Sequence, residues 1–201
     1  METEFEAKFY PVNKDDYRKK LESIGAKLVI PERKMRRAIA DKRGNPQIDC
    51  SYIRVRDEGG VIRLSAKVDG QEGGEVSGQK ETDVVVSDYD KTIQILEISG
   101  IKFNRYQETL RETWDYDGAE IVIDTWPGLL PYSEIETTSE EKVKEIAEKL
   151  GFDWNKKILT PAPDILMKVY NLPEDDVLEK IVNITFENNP FEKLEKVWSN
   201  E

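Results

Sequence analysis

Hydrophobic and charged residues alternate from the start of the chain: Phe5, Ala7 and Phe9 stand between Glu4, Glu6 and Lys8. Side chains of an extended strand point to opposite faces with a period of two. This stretch therefore predicts a strand with one apolar and one charged face. The alternation returns in Ser51–Arg56, where Tyr52, Arg54 and Arg56 oppose Ile53 and Val55. After the Asp57-Glu-Gly-Gly hairpin turn, a return strand carries Arg63, Ser65 and Lys67 on one face and Ile62, Leu64, Ala66 and Val68 on the other. Further strands are predicted at Ala26–Ile30 (ended by Pro31), Gln79–Val86, Lys102–Tyr106, Gln107–Tyr116, Glu120–Trp126 and Tyr132–Thr137.

Between the strands the period changes to that of a helix. Asn13 caps one helix, with Tyr17, Leu21 and Ile24 on its apolar face and Gly25 as its stop. Asp88 opens a second, carrying Tyr89, Ile93 and Leu96 and ending at Gly100. Ser139 caps a third, with Val143, Ile146, Ala147 and Leu150, stopped at Gly151. Residues 31–50 show no clear period, and Gly70–Gly78 reads as a mobile, acidic, Gly-rich loop. One or two short helices, around Ile165–Tyr170 and Val177–Ile181, make up the tail, whose last dozen residues are expected to be poorly ordered.

The first two helices close alike, in Glu22-Ser-Ile-Gly-Ala-Lys-Leu and Glu97-Ile-Ser-Gly-Ile-Lys-Phe. That echo suggests two related strand–helix–strand halves of one sheet. The expected class is α+β, an antiparallel eight-stranded barrel with helices packed outside, because closure removes unpaired strand edges. A length of 201 residues fits a single domain, with the barrel at about 1–150 and a helical tail at 151–201.

Composition narrows the chemistry. A formal net charge of −11 argues against binding duplex nucleic acid or an anionic membrane, so any basic site must be local. The chain has no histidine, which removes Ser-His-Asp and Cys-His catalysis and imidazole metal sites. Its one cysteine, Cys50, permits no internal disulfide or thiolate cluster and reads as a packing residue. With neither a basic-then-apolar leader nor a membrane-length apolar run, a cytoplasmic location is the default expectation.

The charged strand faces carry both signs. The acidic set is Glu4, Glu6, Asp124, Glu134 and Glu136; the basic set is Lys8, Arg54, Arg56, Lys67 and Arg111, with Lys80, Arg63 and Arg105 beside them. If helices cover the apolar faces, these charges point into the barrel, where crowded like charges are costly unless a ligand neutralises them. Carboxylates without His or Cys favour Mg²⁺ or Mn²⁺. Converging arginines suit the charges of a triphosphate, which the guanidinium fork grips.

Glu4-Phe-Glu-Ala-Lys8 resembles the Glu-x-Glu-x-Lys signature of the CYTH superfamily, the triphosphate tunnel metalloenzymes. Arg54-Val-Arg56 and Lys67 resemble its Arg-x-Arg strand and following lysine, Lys80-Glu81 its second-half pair, and Arg111-Glu-Thr-Trp its later arginine strand. Ile123-Asp124-Thr and Glu134-Ile-Glu136 resemble its closing acidic strands. Where members often carry Asp-x-Tyr-Tyr/Phe-Asp, this chain has Ala38-Ile-Ala-Asp41 and a longer polar insertion.

The resemblance implies a β-tunnel in which Glu4, Glu6, Asp124, Glu134 and Glu136 hold one or two metal ions. Lys8, Arg54, Arg56, Lys67, Lys80 and Arg111 would bind the substrate, and Glu4, Glu6, Lys8, Arg56 and Glu136 would carry catalysis. The implied activity is metal-dependent hydrolysis of a small-molecule triphosphate (tripolyphosphate, thiamine triphosphate or a nucleoside triphosphate) by a monomer or homodimer. The rival is class IV adenylate cyclase, which needs a base-stacking aromatic such as Tyr52, Tyr106, Trp114, Trp126 or Tyr132. A polyphosphate-binding module without turnover is the third reading.

Overall fold

The computed structural model describes residues 5–68 and 80–199; Glu4, the Gly70–Gly78 loop and Gln79 fall outside the described residues. The strands are β1 (Phe5–Phe9), β2 (Lys27–Asp41), β3 (Tyr52–Asp57), β4 (Ile62–Val68), β5 (Lys80–Val86), β6 (Arg105–Tyr116), β7 (Ala119–Thr125), β8 (Tyr132–Thr137) and the short β9 (Asn183–Ile184). The helices are α1 (Lys14–Ser23), α2 (Tyr89–Ile98), α3 (Glu140–Lys149), α4 (Ala162–Tyr170) and α5 (Glu174–Lys180). Eight strands form one antiparallel sheet in the order β1-β8-β7-β6-β2-β3-β4-β5, with β9 pairing in parallel to the start of β6.

The period-two pattern divides this sheet into two unlike faces. On one face Ala7, Phe9, Trp114, Ala119, Ile121, Ile123 and Ile135 pack against Tyr17 and Leu21 of α1 and Val143, Ile146 and Ala147 of α3. Ala38, Ala40 and Val55 pack on the same side against Tyr89 and Ile93 of α2. The three helices begin where the sequence predicts, with Asn13, Asp88 and Ser139 each accepting a backbone N–H from the first turn. The opposite face carries the charged set.

Two boundaries differ from expectation. β2 does not stop at Pro31 but runs through it as a 15-residue strand. Its pairing with β6 slips between Leu28 and Ile30 and again between Ile30 and Arg33, and such irregularities accommodate a residue that cannot donate to the ladder. In place of the two strands expected at Lys102–Tyr106 and Gln107–Tyr116 there is the single strand β6 from Arg105, preceded by an irregular segment in which Lys102 O accepts from Asn45 Nδ2 (2.7 Å) and Lys102 N donates to Asn45 Oδ1 (2.6 Å).

The expected closed barrel is not completed by hydrogen bonds: among the described residues no ladder joins the edge strands β1 and β5. Part of the β1 edge is already occupied. Lys8 and Ile158 exchange backbone bonds in both directions at 2.9 Å, so the C-terminal segment pairs where a closing strand would.

That segment is better anchored than its sequence suggested. Ile165, Leu166 and Val169 of α4, Val177 of α5, Ile181, Ile184 and Phe191 form an apolar cluster with Tyr10, Trp126, Leu129 and Tyr132 at one end of the sheet. Val197 N donates to Val169 O (2.8 Å) and the Trp198 ring stacks on Tyr10 at 5.8 Å, so the expected disorder of the last dozen residues is not found through Ser199. Phe191, stacked on Tyr170 at 5.0 Å, is 1% exposed. Phe191→Ala is therefore expected to cost about 3–5 kcal/mol, read in a urea titration; a cost below about 1 kcal/mol would show the tail to be an appendage. No helix among the described residues is long and apolar enough to cross a membrane.

Candidate functional site

β1, β8, β7 and β6 bring the acidic positions side by side. Glu6 lies directly opposite Glu136, and Lys8 opposite Glu134. Ala7 and Phe9, buried under α1 and α3, fix the rotation of β1, so the intervening charges must project from the other face. Carboxylate oxygens of Glu6, Glu134 and Glu136 lie within 4.8 Å of one another, a separation suited to a shared cation.

Lys8 currently neutralises part of this cluster. Its Nζ donates to Glu6 Oε1 at 2.6 Å and lies 3.4 Å from Glu134 Oε2, while its side chain is 6% exposed. Burial pulls the Lys8 ammonium pKa down, but Glu134 and Glu6 outweigh it and the net shift is upward. Burial also pushes the Glu134 carboxyl up, and Glu6 and Asp124 add to that against the opposing charges of Lys8 and Arg111. Negative charge is thus crowded here beyond what one lysine satisfies.

Asp124 is engaged differently. Arg111 Nε donates to its Oδ1 at 2.7 Å and Arg111 Nη2 to its Oδ2 at 2.5 Å, a two-pronged pair whose carboxylate is almost fully buried. Burial lowers the Arg111 pKa, but Asp124 and Glu134 hold it well above the ordinary value. The Tyr132 hydroxyl donates to Asp124 Oδ2 at 3.4 Å, and burial beside Asp124 and Glu134 raises its pKa well above the ordinary range.

The basic positions occupy the same face further along the sheet. Arg56 lies opposite Arg37 on one side and Arg63 on the other, and Lys67 lies opposite Tyr52. Arg56 Nη2 contacts Glu58, yet its Nε is buried without a hydrogen-bond partner among the described residues. Burial and the neighbouring Arg54 lower the Arg56 pKa. Arg54 and Lys67 are half-buried. The backbone of Lys80 lies in β5, paired with Val68. Glu4 lies outside the described residues.

Several site residues escaped the sequence reading. Arg33, Arg37 and Gln107 lie on the charged face, with Arg33 opposite Arg111 and Arg37 opposite Gln107. Arg33 Nε donates to Glu58 O at 2.7 Å, and Arg37 Nε to Gln107 Oε1 at 2.8 Å. The Arg37 guanidinium also stacks on the Trp126 ring, 4.4 Å from its centre. The run Glu32-Arg-Lys-Met-Arg-Arg37 hides them, because Lys34 and Arg36, exposed on the opposite, helix-bearing face of β2, erase the alternation.

At the end of β2, Asp41 pairs with Arg105 Nη2 at 2.5 Å and accepts from Asn104 Nδ2 at 2.7 Å. Burial raises the Asp41 carboxyl, but Asn104 and Arg105 outweigh it and hold it below the usual carboxylate range. A depressed folded-state value contributes stability above the unfolded pKa that is lost as pH falls through the folded one. Asp41→Asn is therefore expected to lower Tm by roughly 2–5 °C at neutral pH. The gap should close as pH falls below about 4 in calorimetric scans; a gap that does not depend on pH would place the effect elsewhere.

Comparisons with known proteins agree with this architecture. The CYTH domain model matches residues 2–161. A candidate adenylate cyclase from Vibrio parahaemolyticus is 14% identical over 82% of this chain and 98% of its own, with a TM-score of 0.65. A conserved hypothetical protein from Pyrococcus furiosus is 18% identical over 79% of this chain and 97% of its own, with a TM-score of 0.63. A candidate adenylyl cyclase from Hippeastrum, described as having a dominant triphosphatase activity, is 14% identical over 87% and 99%, with a TM-score of 0.50. No curated protein matches the sequence. At these identities the solved structures establish the fold, while the family match spans most of the sequence, from the first acidic strand into the C-terminal segment: the chain belongs to the CYTH domain family.

Proposed function

We propose that this protein is a metal-dependent triphosphatase acting on a small-molecule triphosphate with Mg²⁺ or Mn²⁺. The observation that carries this reading is the meeting of Glu6, Glu134 and Glu136 within 4.8 Å, on the same face as Arg56 and Arg111. Oxygen-only donors of full negative charge suit a hard divalent cation. Lys8, already seated against Glu6 and Glu134, stands where such an ion's charge would be welcome.

Glu6, Glu134 and Glu136 would hold the divalent ion, whose chemistry there would be Lewis-acid neutralisation of phosphate oxygens and a lowered pKa for water. The chain's own part is positioning and electrostatics. Arg54, Arg56 and Lys67 grip the phosphates and draw off charge developing on the leaving diphosphate. Lys8 can transfer its hydrogen bonds from carboxylate to phosphate oxygen, and Arg111 orients Asp124 beside the cluster. With no histidine in the chain, proton transfer falls to carboxylates. Closure of the sheet into a tunnel around the substrate, and a single domain whose tail caps that tunnel, belong to this reading.

Adenylate cyclase is the second reading, since structural relatives carry that name. It is disfavoured by the fate of the aromatics. Trp114 is buried on the helix-covered face and donates to Glu112 Oε1 at 2.7 Å. Tyr106, opposite Ala38, lies on that face too. Trp126 is covered by Arg37, and Tyr132 is 2% exposed. Tyr52, opposite Lys67 on the charged face, already has the Arg54 guanidinium 5.6 Å from the centre of its ring.

Product identification after incubation with tripolyphosphate, thiamine triphosphate and ATP, with and without Mg²⁺ or Mn²⁺, tests the assignment. Orthophosphate released only with the cation is expected. Diphosphate with cyclic AMP from ATP would install the cyclase instead, and binding without any product would leave only a binding module.

A further inference from the structure

The Arg37 guanidinium is unusual in what surrounds it. Its partners are neutral: the Gln107 amide oxygen at 2.8 Å and the Trp126 ring at 4.4 Å. Among the described residues no carboxylate lies within ion-pair reach of it, whereas Arg33, Arg56, Arg63, Arg105 and Arg111 each have an acidic or carbonyl oxygen. Arg56, opposite Arg37 across the β2–β3 ladder, has a buried Nε without a partner. Burial, with Arg54 and Arg56 nearby, pulls the Arg37 pKa down to about 10. The indole and the amide hold the Arg37 guanidinium in place but do not neutralise it, and crowded guanidiniums without a counter-ion suit an incoming anion.

The support beneath Arg37 is rigid. Gln107 is 3% exposed, and its Nε2 donates to Ile181 O at 2.9 Å, which fixes its oxygen towards Arg37. Trp126 is packed in the apolar cluster of the C-terminal segment. This end of the charged face is therefore filled by protein. On β7 Glu120 stands opposite Glu136, whereas Trp126, which carries Arg37, follows the other end of that strand beyond Asp124, so Arg37 lies towards the end of the charged face away from Glu6 and Glu136.

We propose that Arg37, held by Trp126 and Gln107 and acting with Arg56, is a specificity-determining anion subsite for the phosphoryl group farthest from the carboxylate cluster. The filled end admits a bare phosphoryl group and excludes an organic ester there, so the favoured substrate class is an inorganic phosphate chain. This rests on reading the charged face as a triphosphate site. Arg37 is assigned to binding and not to the bond-breaking step.

The test is binding of sodium tripolyphosphate and of ATP in EDTA, by calorimetry and thermal shift, to wild type, Arg37→Gln and Arg37→Lys. Wild type is expected to bind tripolyphosphate at least about tenfold more tightly than ATP. Arg37→Gln should weaken tripolyphosphate by about tenfold or more, and Arg37→Lys by less, because lysine keeps the charge but loses the fork. The ligand-free Tm of Arg37→Gln should equal or exceed that of wild type, since a crowded cation has gone. A lower ligand-free Tm, unchanged tripolyphosphate affinity in both variants, or equal wild-type affinity for ATP and tripolyphosphate would each overturn the subsite. Wild type that binds tripolyphosphate but turns nothing over with Mg²⁺ or Mn²⁺ would refute the enzyme reading and leave the subsite standing.

Discussion

Glu136→Gln is expected to remove cation-dependent orthophosphate release from tripolyphosphate, by about a hundredfold or more, while the fold persists. Three carboxylates whose oxygens converge within 4.8 Å repel one another, and Lys8 offsets part of that charge at Glu6 and Glu134. Taking one charge away relieves the repulsion and lowers the affinity for a divalent ion together. The variant should therefore melt no lower than wild type without added metal, yet gain less from added Mg²⁺ or Mn²⁺. Raising the cation concentration should recover part of the rate, because the defect lies in binding. Measurement needs only phosphate release against cation concentration and two melting curves. An ordinary rate at low Mg²⁺ would mean that the cluster is a surface feature and that the ion, if any, is held elsewhere.

The second large effect concerns stability as well as turnover. Arg111→Ala strips both hydrogen bonds from Asp124, whose side chain is 5% exposed, and leaves only the 3.4 Å contact from Tyr132. An uncompensated buried carboxylate costs about 3–5 kcal/mol, which in a chain of this size is a fall in Tm of roughly 10 °C. The reciprocal change isolates the cause. Arg111→Met combined with Asp124→Leu removes both charges and should regain most of the lost stability, while turnover stays absent in single and double variants alike. Recovery of Tm without recovery of activity would separate the fold's need for a matched pair from the site's need for a cation. A double variant as unstable as Arg111→Ala would instead assign the cost to lost packing.

The paired effects share a physical basis. The charged face is stable where each acid has a base, and the proposed chemistry draws on the places where like charges crowd. Asp124 with Arg111, and Asp41 with Arg105, are matched. At the glutamate cluster Lys8 is shared between Glu6 and Glu134, and Arg37 meets the neutral Gln107 and Trp126; these are the places where the reading above puts the cation and the far phosphoryl group.

Much of this was legible in the chain because a strand writes its orientation into a period of two. Ala7 and Phe9 must enter the core beneath α1 and α3, so Glu6 and Lys8 must leave it; the same constraint fixes Glu134 and Glu136 around Ile135. Local chemistry likewise determined the three helices, through the side-chain caps Asn13, Asp88 and Ser139 and the glycine stops at Gly25, Gly100 and Gly151 with positive φ.

What the tertiary structure alone decided was pairing. Whether Asp124 joins the glutamates or Arg111 depends on the β6–β7 register, which no single segment encodes. That β2 continues past Pro31 is set by its partner β6, which pairs with it on both sides of the proline and holds it extended where local preference would end it. Arg37 acquires its meaning only when Gln107, Trp126 and Ile181, distant in sequence, are packed together around it. Short-range periodicity decides which way a side chain points; long-range contacts decide what it meets there.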